Sequence, residues 1–294
     1  MITKSRLYLW LWLILLVASL PGVSSADNNG VRYLVSVGTS LSVGIQPDLN
    51  GVNQQTDEGY PDQLLELVKG QFRKIKLVKL GCPGETTVTM TDGGLCAYPK
   101  GSQLAEVLSF LHAHKDKVEL VTIDMGVNDI LDSGCVSGTE IDEACLVAAI
   151  QDVAMNLTVI MTALKQAAHP DTPIIGMNYY NTFLASWLTG PEGEAFAMQS
   201  ALLAAFFNTA LGDVYGAFGV PVADVAGAFR SNDFEPLVPF PPPFNVVPIN
   251  VALLCQWTYM CVPPPVGPNI HANPDGYGVI ALEFFHEFLA LPPI

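Results

Sequence analysis

The residue of this chain that is best suited to carry out chemistry is Ser40, within the glycine-flanked turn GTSLSVG (38–44). This turn directly follows the run YLVSV (33–37), which is rich in residues that favour β-strands. A serine hydroxyl at the end of a strand can attack a carbonyl carbon when a neighbouring base removes its proton. Ser40 is therefore a candidate nucleophile.

Three residues further along the chain have the types that such a nucleophile needs. They are Gly84, Asn128 and His271. A histidine can be the general base that accepts the serine proton. The backbone N–H groups of Ser40 and Gly84 and the side-chain amide of Asn128 can donate to an oxyanion. We predict Ser40 and His271 as the catalytic pair, and Ser40, Gly84 and Asn128 as the oxyanion hole.

Metal chemistry has little support in the sequence. The chain has 5 histidines, which are scattered, and its 6 cysteines form no Cys-x-x-Cys pair. Structural zinc sites use such ligands at close spacing. The sequence also has no phosphate-binding loop and no dinucleotide-binding fingerprint. We expect no metal ion in this protein.

The composition narrows the range of partners. The formal net charge is -15, and 14% of the residues are charged while 50% are hydrophobic. Binding to nucleic acid or to an anionic membrane surface depends on basic residues, so we expect neither. The hydrophobic content is enough for a large core, which argues against intrinsic disorder. We expect the protein to be a monomer.

The first residues resemble a secretory signal peptide. Lys4 and Arg6 precede an apolar run (7–20), and small residues lead to a cleavage position before Asp27. The run is shorter than the ~20 residues that span a membrane, so we expect no stable membrane anchor. We predict a signal peptide over residues 1–26 and a single secreted domain, extracellular or periplasmic, over residues 27–294.

The six cysteines lie in the part of the chain after the predicted signal peptide, in close sequential pairs. Oxidised cysteines are typical of secreted proteins. Six cysteines allow many pairings, and the sequence alone does not choose among them. The spacing favours the sequential pattern, which is Cys82–Cys96, Cys135–Cys145 and Cys255–Cys261.

Apolar runs alternate with helical patterns along the chain, which predicts βαβ units and a parallel sheet. Strands are predicted at 32–37, 76–80, 118–125, 173–179 and 220–225, and helices at 61–72, 102–114, 141–168, 193–218 and about 275–289. Ser40, Gly84 and Asn128 each come just after a predicted strand. Because ligands bind at the carboxyl ends of parallel strands, we expect these residues along one edge of the sheet.

Two segments leave alternatives open. The helix predicted over 193–218 is apolar nearly all round, which fits a buried crossover helix or a lipid-binding lid. The proline-rich segment from about 230 to 270 is predicted to form neither regular helix nor central strand. It is interpreted either as a loop wall that receives an acyl or aryl group or as a cover over the sheet.

Taken in order, the blocks GTSLS (38–42), Gly84, GVND (126–129) and His271 resemble the four motif blocks of the SGNH (GDSL) hydrolases. The resemblance runs from about Arg32 to Leu289. It implies a flavodoxin-like three-layer α/β/α sandwich with a central parallel sheet of about five strands. It also implies hydrolysis of carboxylic esters without metal or organic cofactor. Secreted members with three disulfides are similar to the cysteine pattern seen here.

The chain departs from the family pattern at two positions. Thr39 stands where an aspartate usually precedes the nucleophile, and Pro268 stands where an aspartate usually lies three residues before the histidine. Some members resembling this case orient the histidine with a backbone carbonyl, which we expect from the loop 255–267. Asp224 and Asp233 are the alternative acids. Asp129 is predicted to be structural and to hold the Ser40 turn.

The sequence thus predicts a secreted serine ester hydrolase that cleaves lipid, acyl or aryl esters through an acyl-serine intermediate. Its partner would be a small-molecule or lipid ester. One alternative is a carbohydrate or cell-wall acetylesterase. The alternative from another class is a non-catalytic secreted binding protein on the same fold.

Overall fold

The structure, a computed structural model, describes residues 30–292, so the predicted signal peptide lies outside the described residues. The strands are β1 Arg32–Gly38, β2 Ile45–Pro47, β3 Asn53–Gln55, β4 Ile75–Lys79, β5 Val118–Asp124, β6 Val136–Ser137, β7 Glu140–Ile141, β8 Ile174–Met177, β9 Val222–Ala223, β10 Leu237–Pro239 and β11 Val246–Pro248. The α-helices are α1 Tyr60–Val68, α2 Thr87–Asp92, α3 Gln103–Ala113, α4 Val127–Leu131, α5 Glu143–Ala167, α6 Pro191–Ala217, α7 Val225–Ala228, α8 Ile249–Trp257 and α9 Pro274–Ala290.

Five parallel strands form the central sheet in the order β4-β1-β5-β8-β9. On one side α1 packs against α9, and on the other α3 and α6 pack against α5. The result is the predicted three-layer α/β/α sandwich. Its central strands β1 and β5 are buried along most of their length because helices cover both of their faces.

The strand β8 ends earlier than the sequence predicts. Residue Tyr179 lies outside the sheet, where the side chain of Asn208 in α6 replaces a strand partner. The backbone N–H of Tyr179 donates to Asn208 Oδ1 at 2.9 Å, and Asn208 Nδ2 donates to the Tyr179 carbonyl at 2.8 Å. These two hydrogen bonds hold the backbone at Tyr179, where the chain leaves the end of β8.

The proline-rich segment contains regular structure that we did not predict. Its strands β10 and β11 form an antiparallel hairpin, and α8 follows immediately. The prediction of no helix was wrong because the nine residues of α8, Ile249–Trp257, contain no proline. Pro248 lies just before the first turn, where a missing N–H costs little.

Helix α6 has two different apolar faces. Its inner face contributes Phe207, Leu211 and Tyr215 to the core. Its outer face leaves Met198, Leu202 and Phe206 exposed. By length and composition, both α5 and α6 would be able to cross a membrane, although each packs one face into the core of this structure.

The structure joins the cysteines in the sequential pairs, Cys82–Cys96, Cys135–Cys145 and Cys255–Cys261. The first pair links the loop after β4 to the segment before α3. The second links the end of the α4 region to the first turn of α5, and the third links α8 to the loop before His271. Each bridge therefore restrains a connection near the carboxyl edge of the sheet.

A buried carboxyl group, that of Asp124, connects this edge to the turn after β1. Asp124 Oδ1 accepts hydrogen bonds from Thr39 N at 2.8 Å and from Thr39 Oγ1 at 2.6 Å, and Tyr60 OH donates to Oδ2 at 3.0 Å. Gly38 allows this approach, because a Cβ there would lie 2.1 Å from the Asp124 carbonyl oxygen. Burial disfavours the charged form and raises the pKa of Asp124 to about 7.

Two substitutions separate the hydrogen bonds of Asp124 from its charge. Asp124→Ala leaves the buried donors of Thr39 and Tyr60 without an acceptor, so we expect the free energy of unfolding to fall by about 2–4 kcal/mol. Asp124→Asn keeps an acceptor for Thr39, and we expect it to remain within about 1 kcal/mol of the wild type near neutral pH. Urea unfolding with the disulfides intact measures both variants.

The same pair of proteins reports the protonation of Asp124. Because its pKa rises on folding from 3.8 to about 7, the folded state between these pH values holds a proton that the unfolded chain has lost. The stability from this group is full below about pH 4 and is lost as the pH rises through about 7. The stability of wild type relative to Asp124→Asn should therefore fall by about 2–4 kcal/mol between about pH 4 and about pH 8. A constant difference would show that Asp124 is already ionised at the acidic end.

Candidate active site

Ser40 lies at the start of a tight 3-10 turn, Leu41–Val43, that follows β1. Gly44 closes this turn in the left-handed conformation, with its N–H donating to the Leu41 carbonyl at 3.1 Å. Ser42 Oγ donates to the Thr39 carbonyl at 2.7 Å. Together with the Thr39–Asp124 bonds, these contacts fix the backbone on both sides of Ser40.

Ser40, Asn128 and His271 line one small cavity at the carboxyl edge of the sheet. They come from the end of β1, the first turn of α4 and the loop before α9. All three side chains are largely buried. The structure thus brings together a hydroxyl, an amide and an imidazole from distant parts of the chain.

The Asn128 amide is held by the neighbouring turn. Asn128 Nδ2 donates to the carbonyl of Glu85 at 2.9 Å. An amide nitrogen carries two hydrogens, so one remains for a ligand in the cavity. Asn128 is thus positioned as a hydrogen-bond donor.

Gly84 precedes Glu85 but, among the described residues, it is not part of the cavity lining. It lies in a reverse turn closed by the Glu85 N–H, which donates to the Cys82 carbonyl at 3.1 Å. Its φ of +81° is one that glycine adopts freely. Gly84 is solvent-exposed, so the structure places it beside the Asn128 contact rather than in the cavity wall.

The buried side chain of Gln103 links the Gly84 turn to the turn that carries Ser40. Gln103 Oε1 accepts from Gly38 N at 2.7 Å, and Gln103 Nε2 donates to the Gly38 carbonyl at 2.9 Å. The same Nε2 donates to Glu85 Oε2 at 2.8 Å. One amide therefore fixes the relative positions of the Ser40 and Gly84 turns.

His271 is oriented by the side chain of Asn269. The ring nitrogen Nδ1 lies 2.6 Å from Asn269 Oδ1, and the backbone N–H of His271 donates to the same oxygen at 3.0 Å. Asn269 Nδ2 donates to Asn53 Oδ1 at 2.9 Å, which leaves Oδ1 facing the imidazole. Because Oδ1 is an acceptor, the proton of a neutral His271 lies on Nδ1, and Nε2 remains free to act as a base.

This geometry corrects the prediction that a backbone carbonyl of the loop 255–267 orients the ring. That loop does contact the histidine segment, but through the backbone. Tyr259 N donates to the His271 carbonyl at 3.0 Å, and Asn269 N donates to the Tyr259 carbonyl at 3.0 Å. The loop thus holds the chain around His271, while Asn269 holds the ring.

The alternative acids are also engaged elsewhere. Asp224 Oδ1 accepts from Asn178 Nδ2 at 2.7 Å and from Gly227 N at 3.0 Å, where it caps α7. Asp233 forms an ion pair with Arg230, with 2.7 Å between Oδ2 and Nε. Capping and local pairing account for both carboxylates, so neither is the acid partner of His271 in this structure.

Asp129 is structural, but it does not hold the Ser40 turn as predicted. Its carboxylate accepts from Thr87 N at 2.9 Å and from Thr87 Oγ1 at 2.5 Å. It therefore anchors the first turn of α2, just after Gly84. The Ser40 turn is held by Asp124 instead.

The sequence reasoning missed Asn269, which lies two residues before His271. An asparagine whose side-chain oxygen accepts the backbone N–H two residues later forms an Asx-turn, and this local signal was present in the sequence. For Asp124 and Gln103 no comparable local signal exists, since their contacts lie 85 and 65 residues away.

The charge state of His271 follows from its burial and its neutral partner. Its side chain is 6% exposed, and burial lowers its pKa to about 4. The imidazole is therefore neutral at mildly acidic and neutral pH, as a general base requires. Within residues 30–292, no group of His, Cys, Asp and Glu side chains is arranged to hold a metal ion.

Several solved structures share this fold at low sequence identity. An extracellular lipase from Streptomyces rimosus has a TM-score of 0.54 and 17% identity, covering 87% of this chain and 99% of that one. A carbohydrate acetylesterase from Sinorhizobium meliloti has a TM-score of 0.53 and 11% identity, covering 88% and 99%. A lipase from a goat rumen metagenome has a TM-score of 0.52 and 15% identity, covering 87% and 96%. No curated protein matches the chain.

The sequence profile of one family spans most of the chain. It is described as the GDSL-like lipase/acylhydrolase family, and it matches residues 36–279. That range contains Ser40, Asn128 and His271, which all line the cavity. The chain belongs to the GDSL-like lipase/acylhydrolase family and is a carboxylic ester hydrolase.

Proposed function

We propose that this protein is a secreted serine hydrolase that cleaves carboxylic esters through an acyl-Ser40 intermediate. The observation that carries the proposal is the cavity in which Ser40, Asn128 and His271 meet, with Asn269 on the far ring nitrogen of the histidine. This is the arrangement of a nucleophile, an oxyanion donor, a base and an orienting group.

The first half-reaction forms the acyl-enzyme. Ser40 Oγ attacks the ester carbonyl carbon while His271 Nε2 accepts its proton. The tetrahedral intermediate then collapses, and the imidazolium donates this proton to the departing alkoxide. In the second half-reaction the neutral imidazole takes a proton from water, whose oxygen attacks the acyl carbon. The second tetrahedral intermediate then collapses, the imidazolium returns the proton to Ser40 Oγ, and the carboxylic acid leaves.

The negative charge of the tetrahedral intermediate needs fixed donors. We assign the Ser40 N–H and the free hydrogen of Asn128 Nδ2, whose residues line the cavity. The Gly84 N–H is proposed as a third donor on its place in the motif alone, since Gly84 is not among the lining residues. The Asp124 and Gln103 contacts hold the Ser40 turn rigid before substrate binds. Such preorganised donors contribute on the order of 3 kcal/mol each to the transition state.

Secretion is supported by the chemistry of the chain. The described residues contain three disulfides, which are typical of oxidising compartments. The N-terminal sequence has the charge and hydropathy pattern of a signal peptide.

The likeness of the fold to a carbohydrate acetylesterase keeps acetylated sugars as the second candidate substrate.

Covalent labelling tests the assignment of the nucleophile. A fluorophosphonate probe should label the wild-type protein stoichiometrically, because the activated serine oxygen attacks its phosphorus and displaces fluoride. Ser40→Ala should abolish labelling and ester hydrolysis. Ser137→Ala, at an exposed serine of the β6–β7 hairpin, is the matched control and should label like the wild type. Labelling that persists in Ser40→Ala would overturn the assignment.

The acid side of the pH profile tests the role of Asn269. With the pKa of His271 at about 4, kcat/KM of the wild type should stay level down to about pH 5 and fall by half near pH 4. Asn269→Asp places a negatively charged carboxylate beside Nδ1, which favours the imidazolium. The fall in kcat/KM should therefore move to a higher pH by at least about one unit. Asn269→Ala should lower kcat by about 10- to 100-fold because the ring loses its fixed tautomer.

The controls for this experiment are the two aspartates first considered as acids. Asp224→Asn and Asp233→Asn should leave both kcat and the pH profile within a few fold of the wild type. An Asn269→Asp profile that superimposes on the wild type would show that Asn269 does not orient the catalytic imidazole.

A further inference from the structure

A second cavity, which we call the α5–α6 cavity, lies beside the catalytic cavity. Its walls come from α4, the β6–β7 hairpin, α5, the segment after β8 and α6. The apolar lining includes Ile130, Ile141, Leu146, Ile150, Leu203 and Phe207. Of the proline-rich segment from about 230 to 270, interpreted from the sequence as a candidate wall for an acyl group, Ile270 lines the catalytic cavity, and none of its residues is among those that line the α5–α6 cavity.

The two cavities adjoin each other. They share the lining residues Val127, Leu131, Tyr179, Tyr180 and Thr182. These shared residues form the boundary that a group of a substrate bound at Ser40 would pass to enter the α5–α6 cavity.

The chemistry of the α5–α6 cavity suits a hydrocarbon. Its lining has no charged side chain, and most of its polar side chains are already occupied by the protein. Asn208 pairs with the Tyr179 backbone, Asn181 Nδ2 donates to Ser200 Oγ, and Tyr180 OH donates to the Ile270 carbonyl. The exceptions among the described residues are the buried Tyr179 hydroxyl, which has no partner, and the Thr182 hydroxyl, which makes no hydrogen bond to the protein. A sugar would find few free partners there, whereas an alkyl chain needs none.

The direction of the α5–α6 cavity indicates which end of the ester enters it. His271 lines the catalytic cavity but not the α5–α6 cavity. The leaving alcohol must lie beside His271, which protonates it. The α5–α6 cavity is lined instead by residues of α4, the helix that carries the proposed oxyanion donor Asn128, so the acyl chain is the group that extends into it.

Resting on the proposed function, we infer that the α5–α6 cavity binds the acyl chain of the ester and makes the enzyme selective for short acyl groups longer than acetyl. Its volume is about 70 Å³. At ~30 Å³ for each water-sized group, such a volume holds about two to three methylene groups, which corresponds to an acyl chain of roughly four to five carbons counted from the carbonyl. Acetyl groups would leave it empty, and long fatty acyl chains would exceed it.

A series of p-nitrophenyl esters from acetate to palmitate measures this selectivity on the wild-type enzyme. Each added methylene that enters the cavity should raise kcat/KM by about fourfold until the chain reaches roughly four to five carbons. Longer esters should show no further gain. A parallel series of acetate esters with lengthening alcohols should show no such rise.

Matched variants place the effect in the cavity. Ala204 lines the α5–α6 cavity, whereas its neighbour Ala205 on the same helix does not. Ala204→Phe should fill the space and lower kcat/KM for the butyrate ester at least about tenfold while sparing the acetate ester, and Ala205→Phe should leave both unchanged. Leu203→Ala, which enlarges the cavity, should shift the preferred acyl chain to a longer one.

The outcomes separate this inference from the proposed function. Hydrolysis of the acetate ester without a chain-length rise, or a rise on the alcohol side, would overturn the inference and leave the serine hydrolase intact. An unchanged chain preference in both Ala204→Phe and Leu203→Ala would also overturn it. Absence of hydrolysis and of fluorophosphonate labelling in the wild type would instead refute the proposed function.

Discussion

The buried carboxyl group of Asp124 joins the end of β5 to the turn that carries Ser40. Its bonds to Thr39 N and Thr39 Oγ1 fix the residue directly before Ser40, the proposed nucleophile. The glycine before it, Gly38, must lack a Cβ for the two chains to approach so closely. The family usually has an aspartate at the position of Thr39. Here the carboxylate comes from the neighbouring strand, and the threonine provides the matching donors.

The remaining site residues depend on this fixed turn. Gln103 clamps Gly38 and reaches Glu85, whose carbonyl in turn accepts from Asn128. Asp129 holds the start of α2 on the other side of the Gly84 turn. These amides and carboxylates form a connected polar network under the cavity, and a network in which each member is satisfied is rigid. The site is therefore held by contacts that do not themselves touch the substrate.

Much of the fold was predictable because its signals are local. Apolar β-branched runs mark the strands, the closely spaced cysteines match the disulfide pairs, and the motif blocks follow strand ends. The contacts of Asp124 and Gln103 were not predictable, since they join residues far apart in sequence and depend on how strands are ordered in the sheet. Helix α8 was missed because the proline content was averaged over a segment whose prolines lie at its two ends.

The departure at Pro268 shows how a neutral group can replace a carboxylate. An aspartate would raise the pKa of the histidine, whereas Asn269 leaves burial as the dominant influence and the pKa at about 4. The histidine thereby gives up some basicity but remains neutral in mildly acidic surroundings. Its orientation comes from an Asx-turn, and the Asn53 contact fixes the direction of the amide.

The geometry at the site has Asn269 hold His271 as the neutral Nδ1–H tautomer with Nε2 free. Nitrogen-15 NMR of histidine-labelled protein at neutral pH tests it directly, with the His271 signal assigned by its loss in His271→Gln. In the wild type, Nδ1 of His271 should be protonated and Nε2 unprotonated, and this single tautomer should be lost in Asn269→Ala. A His271 ring that is protonated on Nε2 or carries both protons at neutral pH would contradict it.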